Sequence, residues 1–165
     1  MAADPLETAW KIQSGLNDST GKADTKASFA LAIQSTVLAL LGILANAGEG
    51  FLSKPRSGAS SAFLWTGVAL LACGAGFAAA AVSPNLRKER RGPQPGDDFL
   101  FFGHLRRWDP AALETALKEK DLLPQLSRQI VVMSEIAWTK HRRVQWSFAL
   151  AATGSAALGV AAIFK

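Results

Sequence analysis

Three segments of this chain are long and apolar enough to cross a lipid bilayer, and they restrict its possible folds more than any other feature. They cover residues 28–47, 61–82 and 144–164, and none of them contains a charged side chain. Because a helix rises about 1.5 Å per residue, roughly 20 residues cross the ~30 Å hydrocarbon core. The sequence therefore predicts an all-α membrane protein with three transmembrane helices.

Lysine and arginine are distributed unevenly around these segments. Residues 83–143 carry twelve of them, whereas the loop 48–60 carries two. Basic residues near the spans are retained in the cytoplasm, so residues 1–27 and 83–143 are predicted to be cytoplasmic and the loop 48–60 external. A cleaved signal peptide is the alternative for the first segment, since Ala45-Asn46-Ala47 has the pattern of a cleavage site. The stretch before it is too long and too acidic for that class.

The outer two helices are predicted to extend beyond the bilayer. Asp4-Pro5 has the pattern of a helix start, and the helix that begins there either continues into the first span or breaks near Gly21. Asp109-Pro110 starts a short helix over residues 110–117. Pro124–Phe164 is predicted to be one long helix, with an apolar stripe on one face. Its members are Leu126, Ile130, Met133, Ala137 and Val144. The extensions should pack side by side as a cytoplasmic helical layer.

Motifs of catalysis and metal binding are missing from the sequence. His104 and His141 have no metal-ligand spacing, and the only cysteine, Cys73, lies inside the second span. The sequence contains neither a phosphate-binding loop nor a G-x-S-x-G nucleophile motif. We therefore expect a protein that is not an enzyme and that needs no metal and no cofactor. A transporter fragment is also disfavoured, because no ionisable residue lies inside a span.

Polar and small residues inside the spans predict how the helices pack. Gln34 is the most costly of the polar ones, so it should face another helix and form a hydrogen bond there. That bond could lie within one chain or in a polar seam between protomers. Small residues recur four apart and would let helix backbones approach closely. They are Gly74 with Ala78 in the second span, and Ala151, Ser155 and Gly159 in the third.

Three short motifs carry a resemblance to a known family. Trp10 followed by Lys22–Ser28 (KADTKAS) resembles the start of the first span in the small transmembrane effectors of Pycsar bacterial immunity. Phe101–Leu105 (FFGHL) is similar to an aromatic-Phe-Gly element of that family. Leu126–Lys140 (LSRQIVVMSEIAWTK) is similar to its L-x-x-Q-I-x-x-x-S-x-I-A-x-x-K helix. The third motif is the most specific, and together the motifs occur in the family's order along most of the chain.

The resemblance implies a role in defence against phage. A partner cyclase would make a cyclic pyrimidine nucleotide, cyclic CMP or cyclic UMP, during infection. The effector would respond by impairing the bacterial inner membrane, so that the cell stops growing or dies before phage mature. We expect a homo-oligomer in a lipid bilayer, with its N-terminus in the cytoplasm and no nucleic acid polymer as partner. The alternative is a small membrane scaffold or anchor protein with no ligand and no toxicity.

The segment 83–143 is too short for the familiar β-roll that binds cyclic nucleotides, so a nucleotide site would have to be assembled from helices. Candidates for sensing or coupling are Asp24, Lys26, Arg87, Arg91, Gln129, Ser134 and Lys140. Arginine suits phosphate recognition, although the run Arg87–Arg91 also fits a topology determinant that faces anionic headgroups. The other candidates have the alternative role of helix–helix bonds or interfacial contacts.

Overall fold

The computed structural model describes residues 4–46, 58–83, 102–105 and 107–164, and it contains no strand among them. It has five helices there: α1 (Pro5–Asn46), α2 (Gly58–Val82), α3 (Phe102–Leu105), α4 (Pro110–Glu119) and α5 (Leu122–Ile163). The first, second and fifth are long and apolar enough to span a membrane by length and composition. The prediction of an all-α membrane protein with three such helices is confirmed.

Helices α1 and α5 each comprise 42 residues. At about 1.5 Å per residue each is roughly 63 Å long, twice the thickness of the hydrocarbon core. Each therefore extends well beyond its apolar segment, as the sequence predicted. Helix α1 continues through Gly21 without a break. Gly21 itself is exposed, and the helix packs through its buried residues on either side, Ala9 and Ala23, which stabilises it despite the weak helix formers.

The helices begin where the sequence places their caps. The Asp4 Oδ1 accepts a hydrogen bond from the Leu6 N–H, and Glu7 pairs with Lys11 one turn later at 2.7 Å. The Asp109 carboxylate accepts bonds from the N–H groups of Ala111 and Ala112 at the start of α4. Asp121 likewise accepts from the Leu123 N–H at the start of α5. Each carboxylate satisfies backbone donors that a helix leaves open at its first turn.

The chain divides into two compact units. Unit 1 comprises residues 1–21 and 84–138, and unit 2 comprises residues 22–83 and 139–165. Helices α1 and α5 each begin in unit 1 and end in unit 2, whereas α2 lies wholly in unit 2. Unit 2 contains the three apolar segments.

Buried positions follow a heptad pattern in each long helix. In α2 they alternate at intervals of four and three, at Ser60, Leu64, Gly67, Leu71, Gly74, Ala78 and Ala81. The same alternation connects Ala23, Ala27, Ala30 and Gln34 in α1. In α5 it connects Leu126, Ala137, Val144, Ser147, Gly154 and Ala161, with half-buried residues at the intervening positions. A period of 3.5 residues is the repeat of left-handed coiled-coil packing. The small residues at the buried positions allow the helices to approach closely.

Contacts inside unit 2 give the directions of its helices. Asp24 and Gln34 of α1 contact Lys140 and Ser147 of α5, so these two helices run the same way. Ser60 of α2 bonds to Ala161 of α5, while Ala80 near the end of α2 bonds to Arg143. Helix α2 therefore runs antiparallel to both. The parallel outer spans agree with the direction that the sequence predicted.

Candidate functional site

An ion pair joins α1 and α5 just before their apolar segments. The Lys140 ammonium donates to both carboxylate oxygens of Asp24, at 2.6 Å to Oδ1 and 2.7 Å to Oδ2. The Lys140 side chain is 15% exposed and that of Asp24 is 37% exposed. Charges this close and partly shielded from water attract each other more strongly than a fully exposed surface pair. The pair therefore fixes the register of the two parallel helices where they meet their spans.

A small apolar cluster and an arginine lie close to this pair in unit 2. Ala23, Ala27, Ala81 and Val144 form a buried cluster that brings all three spans together. Arg143 Nη1 donates to the Ala80 carbonyl oxygen at 2.6 Å. The last carbonyls of a helix have no partner within it, so the guanidinium satisfies one of them at the end of α2. Arg143 therefore connects α5 to α2 by a hydrogen bond from its side chain, as Lys140 connects α5 to α1.

A buried polar cluster lies deeper in the spans, formed by Gln34, Gly74 and Ser147; we call it the Gln34 cluster. The Gln34 Nε2 donates to the Ser147 Oγ at 3.0 Å, and the two side chains are 2% and 0% exposed. A Cβ at Gly74 would lie 2.5 Å from the Gln34 Oε1 and 3.1 Å from the Ser147 carbonyl oxygen. A side chain at position 74 would therefore displace the Gln34 amide and crowd the Ser147 carbonyl, at the point where three helices meet. The hydrogen bond lies within one chain, which is the first of the two arrangements open from the sequence.

Glycines also bring α2 and α5 together farther along the spans. A Cβ at Gly67 would lie 2.9 Å from the Gly154 carbonyl oxygen, and a Cβ at Gly154 would lie 2.9 Å from that of Gly67. Ser60 Oγ donates to the Ala161 carbonyl oxygen at 3.1 Å. Sequence reasoning missed Gly67 and Gly154. The signal in the sequence is the heptad repeat, because Gly67 lies seven residues before Gly74 and Gly154 lies seven residues after Ser147. A search for small residues four apart does not find this contact.

The small residues that the sequence singled out have two different positions. Gly74 and Ala78 are buried inside unit 2, so their face packs against the other spans of the same chain. Ser155 and Gly159 are exposed, and a Cβ at Gly159 would meet nothing within 4 Å in the described part of the chain. Cys73 is a free, exposed thiol on α2.

The predicted sensing residues are divided between the two units. Asp24, Lys26 and Lys140 lie in unit 2, where the first and third form the ion pair and Lys26 is exposed. Gln129 and Ser134 lie on α5 in unit 1; Gln129 is half-buried, and the Ser134 Oγ donates to the Val131 carbonyl of its own helix at 2.7 Å. Arg87 and Arg91 lie outside the described residues.

Two buried acceptor atoms of unit 1 have no donor among the residues that the structure describes. The Oε1 atoms of Gln13 and Gln125 are buried and accept no hydrogen bond within the described residues. A buried acceptor without a donor costs roughly 1–3 kcal/mol, so a group that brought an N–H to it would bind favourably. Lys120 lies over the Trp108 ring, with 5.8 Å between Nζ and the ring centroid. No group of three or more His, Cys, Asp or Glu residues suited to a metal ion occurs in the ranges that the structure describes.

Comparison with known proteins identifies the family. The family described as Pycsar effector protein domain matches residues 8–165, nearly the whole chain. No curated protein and no solved structure matches the chain significantly. The resemblance drawn from Trp10, the KADTKAS segment and the Leu126–Lys140 helix is therefore confirmed.

Proposed function

Because the chain belongs to the Pycsar effector family, we propose that this membrane effector of antiphage defence is activated by a cyclic pyrimidine nucleotide and then impairs the inner membrane. Cyclic CMP and cyclic UMP are the two candidate nucleotides, made by a partner cyclase during infection. Death or arrest of the infected cell would follow from the membrane damage. The protein acts without catalysis of its own and as a homo-oligomer.

The observation that carries this proposal is the uninterrupted course of α1 and α5. Each begins in unit 1 and ends in unit 2 as a single helix of 42 residues. A ligand changes the population of two packings only through its different affinity for them. A nucleotide that binds unit 1 in one packing of these helices would favour that packing along their whole length, because a continuous helix resists bending.

We place the nucleotide in unit 1, which contains hydrogen-bond acceptors of a kind that a pyrimidine base could use. The buried oxygens of Gln13 and Gln125 can accept from the exocyclic amine of cytosine or the ring N–H of uracil. Arg87 and Arg91 are the proposed partners of the cyclic phosphate, and Gln129 and Ser134 further contacts to the ligand. Asp24, Lys26 and Lys140 would couple the bound state to the spans.

We further place the N-terminus and residues 83–143 in the cytoplasm, where a nucleotide made by a cyclase is available. The twelve Lys and Arg residues of segment 83–143 support this orientation, because basic residues near membrane spans are retained in the cytoplasm. Fusion of a cytoplasmic or a periplasmic reporter after residue 57 and after residue 120 tests it. A periplasmic signal after residue 120 would reverse the orientation.

The activation itself is tested with purified protein in dye-loaded liposomes. We expect cyclic CMP or cyclic UMP to release dye, and cyclic AMP to leave the liposomes intact. Calorimetric titration of the same protein should give heat only with the nucleotide that releases dye. Substitution of Gln13→Leu together with Gln125→Leu should weaken binding about 10-fold or more, since each orphan acceptor is satisfied by the ligand.

Two results would contradict the proposal in different ways. Heat of binding without dye release would favour a ligand-regulated scaffold over a membrane-impairing effector. An absence of both with either pyrimidine nucleotide would remove direct nucleotide sensing and favour the constitutive anchor. Ser127→Ala, an exposed residue two positions after Gln125, is the matched control for binding, because it removes a polar group from the same helix without touching an orphan acceptor.

A further inference from the structure

The spans of unit 2 are packed in an arrangement that seals their interior. The apolar side chains of Leu64, Leu71 and Ala78 are at most 4% exposed, and those of the polar residues Gln34, Ser60 and Ser147 are at most 2% exposed. Gln34 and Ser147 bond to each other, and Ser60 bonds to the Ala161 carbonyl oxygen, so all three polar groups are covered by contacts between helices. If the protein impairs membranes, as proposed above, we take the damaging state to be a second packing of these helices, in which the buried polar groups become exposed.

We propose that the Gln34 cluster is a lock that holds the spans in the sealed packing and keeps the effector silent until it is activated. The inference rests on the proposed function and adds a regulatory device to it. Gln34 on α1 donates to Ser147 on α5, and Gly74 on α2 leaves the space in which both can meet. The hydrogen bond thus fixes the register of α1 against α5, and the space at Gly74 places α2 beside both.

The Gln34 cluster stabilises this packing of the spans, but its Gln34–Ser147 hydrogen bond can be broken when the packing changes. A glutamine amide in lipid is costly unless its groups are paired, so separation of Gln34 from Ser147 is disfavoured. The Gln34 Oε1 has no conventional donor among the residues described. A Cβ at Gly74 would lie 2.5 Å from it, so a Gly74 Cα–H points toward this oxygen as a weak donor. A half-satisfied cluster stabilises its packing modestly, which suits a switch.

The chain offers a matched control for each member of the cluster. Thr36 is a polar residue of α1 close to Gln34, but it is exposed and bonds to Ala32 of its own helix. Thr153 is the corresponding control for Ser147, because it is an exposed polar residue of α5 whose hydroxyl bonds to the Ala149 carbonyl of the same helix. Gly76 lies two residues from Gly74, and a Cβ there would meet no described atom within 4 Å.

The experiment measures dye release from liposomes that contain the purified variants and no nucleotide. Loss of one interhelical hydrogen bond in a membrane shifts the equilibrium between packings by roughly 3- to 20-fold. We expect Ser147→Ala and Gln34→Leu to raise spontaneous dye release by that factor, and Gly74→Ala to raise it at least as much, since its Cβ displaces Gln34. Thr153→Ala, Thr36→Val and Gly76→Ala should release dye at the wild-type rate.

Ser147→Ala decides the outcome, because it removes a single oxygen and keeps the helix intact; circular dichroism of the liposomes checks that each variant is folded. Spontaneous release at the wild-type rate from folded Ser147→Ala and Gln34→Leu would overturn the lock. So would loss of the nucleotide-dependent release in both variants, since the cluster would then belong to the active packing. Wild-type protein with nucleotide, in the same liposomes, separately tests the proposed function.

A double variant gives a second measurement. If Gln34 and Ser147 act through one bond, then Gln34→Leu combined with Ser147→Ala should release dye no faster than the more active single variant. Release that multiplies the two single effects would mean that the residues act independently, which contradicts a single lock.

Discussion

Among the residues that the structure describes, the polar contacts given above for the two compact units are of different kinds. In unit 1 the caps and the ion pair described above join residues two to four positions apart, such as Asp109 with Ala112 and Glu7 with Lys11. In unit 2 the contacts of Asp24, Gln34, Ser60 and Arg143 join residues 63 to 116 positions apart. Local contacts determine where a helix begins, whereas distant ones determine which helices pack and in what register.

This difference gives the two units different roles in a switch. A helix that loses a cap frays by a turn and keeps its neighbours. A span that loses a distant contact loses part of what fixes its register, because its buried face is built largely of small residues that do not interlock as large side chains do. Substitutions in unit 2 should therefore change the packing of the whole unit, and those in unit 1 should change one helix end. The predictions that follow test this contrast.

The largest effect is expected at the glycine contact between α2 and α5. Gly154→Ala places a Cβ 2.9 Å from the Gly67 carbonyl oxygen and 3.1 Å from the Leu71 nitrogen, and backbone atoms cannot rotate away. We expect it to lower the free energy of unfolding in detergent by about 1–3 kcal/mol, the usual cost of overpacking. Thermal unfolding followed by circular dichroism measures this.

Gly159→Ala is the control on the same helix, where the added Cβ meets nothing within 4 Å in the described chain. Alanine is the better helix former by up to about 1 kcal/mol, so this variant should be as stable as wild type or more so. Equal losses for both glycines would mean that backbone flexibility, rather than close packing, is what these positions provide.

The next largest effect is expected at the ion pair between α1 and α5. Asp24→Asn leaves Lys140 without a negative partner, and Lys140→Met leaves Asp24 without a positive partner. The lysine is the more buried, at 15% against 37% exposure, so Asp24→Asn should cost more. Because the pair lies between the surface and buried classes, we expect a loss of roughly 1–2 kcal/mol in the free energy of unfolding.

Glu7→Gln provides the comparison from unit 1. Glu7 and Lys11 form a pair whose side chains are 62% and 75% exposed, so its loss should cost less than about 0.5 kcal/mol. The exchange Asp24→Lys with Lys140→Asp should recover part of the stability that either single change removes. A loss for Glu7→Gln as large as that for Asp24→Asn would end the distinction between local and distant contacts.

Much of the helical structure was predictable because its signals are local. Asp4-Pro5 and Asp109-Pro110 start α1 and α4 as predicted, and the apolar stripe from Leu126 to Val144 belongs to a single helix. Burial at Leu126, Ala137 and Val144 confirms which face of α5 packs inward. Uncharged segments of about 20 residues similarly indicate spans without reference to any other part of the chain.

Partners between helices were not predictable in the same way. The sequence indicates that Gln34 needs a hydrogen bond, but Ser147 is 113 positions away and only the packing of the helices selects it. Arg143 shows the same limit: its position among basic residues predicts an orientation in the membrane, whereas the structure gives it the Ala80 carbonyl as partner. Register between helices depends on all contacts at once, so no single motif contains it.

The smallest effect is expected at the cap of α4, where the contrast between the units is sharpest. Asp109→Ala removes the acceptor for two backbone N–H groups, at 3.1 Å from Ala111 and 3.2 Å from Ala112. We expect a cost of about 1 kcal/mol, limited to the first turn of this ten-residue helix. Hydrogen exchange should therefore become about fivefold faster at the first amides of α4 and stay unchanged at the span residues Gln34 and Ser147. Asp109→Asn keeps an oxygen that accepts the same bonds, so it should restore slow exchange. Faster exchange in the spans after Asp109→Ala would mean that a contact between residues two or three apart also determines the packing of unit 2, and that the two units are a single cooperative structure.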